Sequence, residues 1–242
     1  MAAKKKVLFL GASGLIGPHL TPGLMDDYDL TLTDVKDHPD GIDIDHVDVT
    51  DYEQVLKAAQ GMDAIMNFTV VRNDPDLSFH VNTRGALHVM KAAVELGIGK
   101  VVHSGPESVR NHCDHDFDID DMPFQPGPGY YMATKMLSRE ICQVYARTYD
   151  IQTVCYLFNG LSAPPEAPVV GADFPPFTIV WPDLVQACKL ALEIESVPGN
   201  YQEFNLHSHV GQGKFGLERA HRILGYEPIR NMAEFYRRPT DA

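Results

Sequence analysis

Short apolar runs alternate along the chain with stretches of helical periodicity, and a glycine-rich turn directly follows the first run. Together these predict an α/β fold, a doubly wound parallel sheet with helices on both faces. Its 242 residues allow one generous domain, or a core with a small appended lobe, but not two full domains. An apolar content of 44% with 22% charged residues is that of a folded chain rather than a disordered one.

The first apolar run, residues 7–10, reads as a strand covered on both faces, and residues 14–25 as the helix that follows it. Residues 30–33 form the next strand. Over residues 51–59, Val55, Leu56 and Ala59 share one helical face, with Thr50 or Asp51 as the N-cap. Residues 64–71 read as a strand, 78–96 as a long amphipathic helix stopped by Gly97, and 100–103 as a further strand. A polar loop rich in Asp and Pro, residues 110–129, leads into a helix at 131–149 and a strand at 153–158. Beyond Asn159 the prolines from Pro164 to Pro182 remove backbone donors, which favours loop over ladder or helix. Two helices close the chain, at 183–195 and at 217–224 before Gly225.

Charge and cysteine usage narrow the function classes. Twenty basic against 33 acidic residues give a net charge of −13, which repels phosphate backbones and anionic lipid, so neither nucleic acid nor membrane is an expected partner. No run approaches the roughly 20 apolar residues of a membrane span. The basic opening is followed by four apolar residues and then Gly11, too short for a secretory h-region. Cys113, Cys142, Cys155 and Cys188 lie far apart with no C-x-x-C pair, and a cytoplasmic location with reduced thiols is expected.

Gly11, Gly14 and Gly17 stand in G-A-S-G-L-I-G between the first strand and the first helix. Without Cβ atoms the turn can tighten and its backbone amides can approach a pyrophosphate at the helix N-terminus, the arrangement of a dinucleotide fingerprint. Asp34 ends the second strand, 23 residues after Gly11, where a carboxylate accepts bonds from ribose hydroxyls and repels a 2′-phosphate. NAD is therefore expected over NADP. Asp48 and Val49, before the next helix, are placed to meet the adenine edge. The fold becomes a Rossmann-like NAD-binding core over residues 1–160, with a reduced substrate-binding cap over 161–242 whose helix near 183–195 returns to the core.

Tyr131 and Lys135 are four apart at the head of a helix and share one face. A nearby ammonium stabilises phenolate, which turns tyrosine into a base able to take a proton from an alcohol near neutral pH.

Taken together, G-A-S-G-L-I-G at 11–17, Asp34, Asp48-Val49, V-N-T-R-G at 81–85 and Y-M-A-T-K at 131–135 resemble the extended short-chain dehydrogenase/reductase superfamily, the NAD-dependent epimerase/dehydratase group. Asp120-Asp121 before Pro123, Phe204-Asn205-Leu206 and the I-L-G-Y-E-P run at 223–228 extend the likeness over nearly the whole chain. The resemblance implies Tyr131 as the acid/base and Lys135 as its partner, which also holds the nicotinamide ribose. Ser13, Leu15 and Ile16 fall within the phosphate turn. It further implies that Phe68, Thr69 and Val70 line the cofactor, that Asn82 supports the catalytic face, and that Asn159 touches substrate. A homodimer through the helices at 78–96 and 131–149 is likewise implied.

One position departs from that pattern. The family places a Ser or Thr that bonds the reacting oxygen where this chain has Pro106, within S-G-P-E-S at 104–108. Proline offers neither hydroxyl nor amide donor. Ser104 and Ser108, of equal parity along an extended segment, are the two candidates to replace it. The short length and the segment from Phe177 onward are most similar to uronate dehydrogenases, yet there is no Arg between Arg147 and Arg219 to hold a substrate carboxylate. Arg72 and Arg110 are the remaining candidates.

The expected function is an NAD-dependent oxidoreductase acting on a hydroxyl or hemiacetal of a sugar, sugar acid or similar small polar substrate. Two alternatives stand beside it: a nucleotide-sugar epimerase or dehydratase that retains its NAD, and an NAD-binding protein whose chemistry Pro106 impairs. His112, Cys113, Asp114 and His115 fit neither zinc nor EF-hand spacing, so no metal is expected. Trp181, near Phe174 and Phe177, reads as cap packing or a sugar-stacking platform.

Overall fold

Alternation along the first strand decides how the sheet is clothed. In β1 (Lys6–Leu10), Val7 and Phe9 point to one face and Leu8 and Leu10 to the other, and all four are buried. Both faces must therefore be covered. The computed structural model describes residues 3–106, 117–118, 129–170, 177–210, 215–229, 232 and 235–237.

The other strands of the main sheet are β2 (Asp29–Asp34), β3 (Asp45–His46), β4 (Ala64–Asn67), β5 (Lys100–Ser104), β7 (Gln152–Leu157) and β11 (Tyr201–Asn205). They run in the order β11-β7-β5-β4-β1-β2-β3, and every pairing is parallel. Three further parallel pairs are two or three residues long: β6 (Phe117–Asp118) with β12 (Phe215–Gly216), β8 (Gly160–Ser162) with β10 (Thr178–Val180), and β9 (Val169–Val170) with β13 (Tyr236–Arg237).

Helices α1 (Gly17–Met25), α6 (Trp181–Glu193) and α7 (Glu218–Leu224) cover the Val7 face, through Leu20, Leu24, Leu184, Ala187, Leu192 and Leu224. Gly23 permits close contact there, since a Cβ would lie 2.7 Å from Val185 Cγ1. Helices α2 (Tyr52–Ala58), α4 (Gly85–Leu96) and α5 (Tyr130–Tyr149) cover the Leu8 face, through Val55, Val89, Ala93, Cys142 and Ala146. The sheet is thus doubly wound and Rossmann-like, as the sequence predicts. Among the described residues no helix is long and apolar enough to cross a membrane.

Several elements depart from the expected bounds for local reasons. The first helix begins at Gly17, because Gly14 N–H bonds Gly11 O and holds residues 11–14 in a turn. The strand expected to reach Val71 stops at Asn67, whose side chain accepts the Thr69 N–H. The long helix expected at 78–96 is divided into α3 (Pro75–Ser78), a π-helical stretch over Phe79–Arg84, and α4. Asp51 caps α2, accepting from Glu53 and Gln54 N–H at 3.0 and 3.3 Å. The edge strands β3 and β11 are additions to the expected set.

Strand β1 is flanked by β2 on one side and β4 on the other, so the connections leave it in opposite directions. The crevice at the carboxyl ends of β1 and β4 is the topological switch point where open α/β sheets bind ligands.

Candidate active site

The turn after β1 is built on backbone proximity. Gly11 has φ +90°, and a Cβ there would lie 2.8 Å from the Phe68 carbonyl carbon. At Gly17 a Cβ would lie 2.0 Å from Ala12 O, so α1 packs directly against the turn. Asp34, at the end of β2, accepts from Ser13 N–H at 3.1 Å and from Val35 N–H at 2.7 Å, which fixes its carboxylate at the rim. Ser13 Oγ is buried with no hydrogen-bond partner among the described residues.

Gly11, Ser13 and Asp34 open onto a crevice of about 560 Å³. Gly11, Ser13, Gly14, Leu15, Ile16, Asp34, Asp48, Val49, Phe68, Thr69 and Val70 all border it, so eleven expected cofactor positions converge on one cavity. Asn82 sits behind the wall instead. It is 2% exposed; its Oδ1 accepts from Val71 N–H, and its Nδ2 donates to Val71 O and Thr134 Oγ1. Its amide ties the strand-end loop to α5.

A second pocket of about 230 Å³ adjoins the first and shares Leu15, Ile16, Phe68, Val70 and Arg72 with it. Ser104, Tyr131, Lys135 and Asn159 face it. Lys135 is 1% exposed, and its Nζ donates to Ser104 Oγ at 2.9 Å. Burial lowers the Lys135 pKa to about 8; the Arg72 charge adds to that effect, while Cys155 and Cys142 oppose it. The Arg72 guanidinium carbon lies 5.1 Å from the Tyr131 ring centroid, a cation–π contact. Asn159 donates to Asn205 Oδ1 at 2.9 Å across β7 and β11.

Helix α5 is held in place from the opposite side as well. Arg139 donates to both oxygens of Glu203 on β11, at 2.6 and 2.7 Å, a bidentate pair that pins the helix bearing Tyr131 and Lys135 to the sheet.

Of the two serines expected to replace the missing hydroxyl, Ser104 lies in this pocket, whereas Ser108 lies outside the described residues, as do Arg110 and the 112–116 segment. Trp181 stacks on His19, ring centroids 4.1 Å apart, and packs against the core. Sequence reasoning missed Phe158, Gly105 and Leu161 in the pocket wall, and the buried pair Asn67 and His103 beneath it. The available signal for that pair was a polar residue directly after an apolar run in each of two neighbouring strands, Asn67 after residues 64–66 and His103 after Val101 and Val102.

The chain matches the family described as NAD dependent epimerase/dehydratase over residues 7–172. It is 27% identical over 247 residues to the uncharacterized protein YtbQ of Bacillus subtilis, covering 95% of this chain and 96% of that one. It is 24% identical over 259 residues to an NAD-dependent glucose-6-phosphate dehydrogenase of Haloferax volcanii, covering 95% of each. Among solved structures, a mutant uronate dehydrogenase from Agrobacterium tumefaciens complexed with NAD superposes with a TM-score of 0.76 at 17% identity, over 96% of this chain and 88% of that one.

Proposed function

The chain belongs to the NAD-dependent epimerase/dehydratase family, and on that premise we propose that it is an oxidoreductase acting on a hydroxyl or hemiacetal carbon of a sugar, sugar acid or similar small polar molecule. The observation that carries this reading is the convergence of Ser104, Tyr131 and Lys135 on a pocket that adjoins the glycine-turn crevice.

The crevice fits NAD. Gly11 and Gly17 let the turn close against the Phe68 and Ala12 backbones, where a Cβ would clash, Ser13 offers a buried hydroxyl with no partner among the described residues, and Asp34 presents a fixed acceptor at the rim. Gly11, Ser13, Gly14, Leu15, Ile16 and Gly17 would hold the pyrophosphate. Asp34 would take the ribose hydroxyls, Asp48 and Val49 the adenine, and Phe68, Thr69 and Val70 the wall, with Asn82 supporting that wall. NAD when bound supplies a hydride acceptor.

Tyr131 removes the substrate hydroxyl proton, and the positive charges of Lys135 and Arg72 favour the phenolate it needs. Because Ser104 Oγ accepts from the Lys135 ammonium, its own O–H is left to donate to the reacting oxygen. Ser104 thereby takes the place of the hydroxyl that Pro106 lacks; a donor so placed contributes about 3 kcal/mol to transition-state stabilisation. Arg72 and Asn159 hold the substrate, and a pocket of about 230 Å³ suits a monosaccharide better than a nucleoside diphosphate sugar. We place the protein in the cytoplasm as a homodimer, which would cover the exposed Leu137, Val144 and Tyr149 of α5.

The test is a panel of sugars, sugar acids and small alcohols offered with NAD and with NADP and read by NADH or NADPH formation. Net NADH with a simple sugar or alcohol supports the proposal. Tightly retained NAD with no net reduction would contradict it and favour an epimerase or dehydratase. Pro106 favours one second reading, an NAD-binding protein with impaired chemistry. NAD binding without turnover, restored by Pro106→Ser, would establish that reading instead.

A further inference from the structure

Beneath the two cavities runs a line of buried polar groups that the chemistry above does not use. At one end, Asn67 Oδ1 accepts from the backbone N–H and the hydroxyl of Thr69, at 3.3 and 2.7 Å, and Thr69 borders the cofactor crevice. Asn67 Nδ2 lies 3.4 Å from His103 Nδ1, and His103 Nε2 lies 3.1 Å from Ser138 Oγ. At the other end, Ser138 donates to the backbone carbonyl of Lys135 at 2.8 Å. Asn67, His103 and Ser138 are all 1% exposed or less.

Both ends are anchored to the backbone, and that sets every hydrogen between them. The Thr69 N–H can only donate, so Asn67 must turn its oxygen to Thr69 and its NH2 to His103. The single Ser138 hydrogen goes to the Lys135 carbonyl, so the imidazole must donate from Nε2 and accept at Nδ1. One neutral tautomer satisfies the whole line. Complete burial, aided by the charge of Lys135, keeps His103 neutral by holding its pKa well below the ordinary histidine range.

We propose that His103 is a positioning residue that couples the cofactor-lining turn at Thr69 to the Lys135 turn of α5, its Nδ1 face setting the first and its Nε2 face the second. This rests on the functional reading above, since it concerns the same site. The two faces can be separated by substitution. Asn keeps an acceptor where Nδ1 stood, and Gln keeps a donor where Nε2 stood.

The experiment measures NAD affinity by calorimetry, which needs no turnover, together with kcat on the substrate found in the panel. His103→Gln releases Asn67 and with it Thr69, so the NAD Kd is expected to rise about fivefold while kcat at saturating NAD stays within about twofold. His103→Asn releases Ser138, so kcat is expected to fall about fivefold while the NAD Kd stays within about twofold. Asn67→Ala and Ser138→Ala are expected to reproduce the Gln and Asn patterns respectively. This double dissociation supports the proposal. Parallel loss of affinity and kcat in both variants, tracking a lowered Tm, would reduce His103 to a packing residue and overturn it, as would two unchanged variants. Should the wild-type chain bind NAD but turn nothing over, the functional reading fails by itself, and a Kd raised in His103→Asn as much as in His103→Gln still overturns the coupling.

Discussion

The two adjoining cavities are made in different ways. The larger one opens on a glycine turn packed backbone to backbone: Gly11 and Gly17 let that turn close, since a Cβ there would lie 2.8 and 2.0 Å from main-chain atoms. The smaller one draws side chains from five separate segments, with Leu15 and Ile16 after β1, Arg72 after β4, Ser104 on β5, Tyr131 and Lys135 on α5, and Asn159 after β7. A turn packed backbone to backbone tolerates little change in residue type. A cavity made of side chains can change its occupant through single substitutions while the fold persists. Under the proposed function, that difference would let the crevice keep one cofactor while the adjoining pocket changes its substrate.

The largest test of the contrast is Gly17→Ala. The added methyl has only the Ala12 carbonyl to displace, so NAD affinity measured by calorimetry should fall about 100-fold or more. Gly99→Ala, where a Cβ meets nothing within 4 Å, should leave it unchanged. Equal effects at the two glycines would break the distinction between a turn packed backbone to backbone and an open one.

Next is Asp34→Asn. The amide keeps much of the geometry but loses the charge that repels a 2′-phosphate, so the ratio of NAD to NADP affinity should fall about tenfold. An unchanged ratio would remove Asp34 from the cofactor rim.

On the side-chain-walled cavity the effects are electrostatic and smaller. With Lys135 lowered to about 8, the ammonium is lost as pH rises past that value, and with it the donor to Ser104. The kcat/KM profile, which reports the free enzyme, should therefore fall on its alkaline side near pH 8. Lys135→Arg should carry that limb beyond the accessible range, because guanidinium keeps its proton. A limb that stays near pH 8 in the Arg variant belongs to another group.

The smallest expected effect is that of Arg72→Gln. Removing a charge that lowers the Lys135 pKa should move the alkaline limb upward, by less than about one pH unit given solvent screening at an exposed guanidinium. A downward movement would contradict the placement of Arg72 beside Lys135.

What could be read from the chain follows the same division. The glycine turn and Asp34 were legible from their spacing after the first and second strands, and the α2 cap was narrowed to Thr50 or Asp51, of which Asp51 accepts the local hydrogen bonds. The end of β4 was misjudged by four residues because Phe68, Val70 and Val71 are apolar while the break comes from the Asn67 side chain folding back on Thr69. The π-helical stretch at Phe79–Arg84 was hidden because apolar periodicity survives one widened turn; it brings Asn82 to Val71 and Thr134. Lys135 and Tyr131 were visible as an i, i+4 pair. Their partners Ser104 and Arg72 depend on which strands lie side by side, a relation that no local spacing encodes. His103 looked like one more strand residue, and only its contacts with Asn67 and Ser138 distinguish it.

The central claim is that Tyr131 performs the proton transfer in an NAD-dependent oxidation, while the glycine-turn crevice binds the cofactor independently of it. The most direct measurement compares the wild-type chain with Tyr131→Phe for NAD affinity and for NADH formation on the same substrate. The expected result is an NAD Kd within about twofold of the wild type and a kcat lowered about 1,000-fold, the scale of a lost general base. Undiminished NADH formation by the phenylalanine variant would contradict the account.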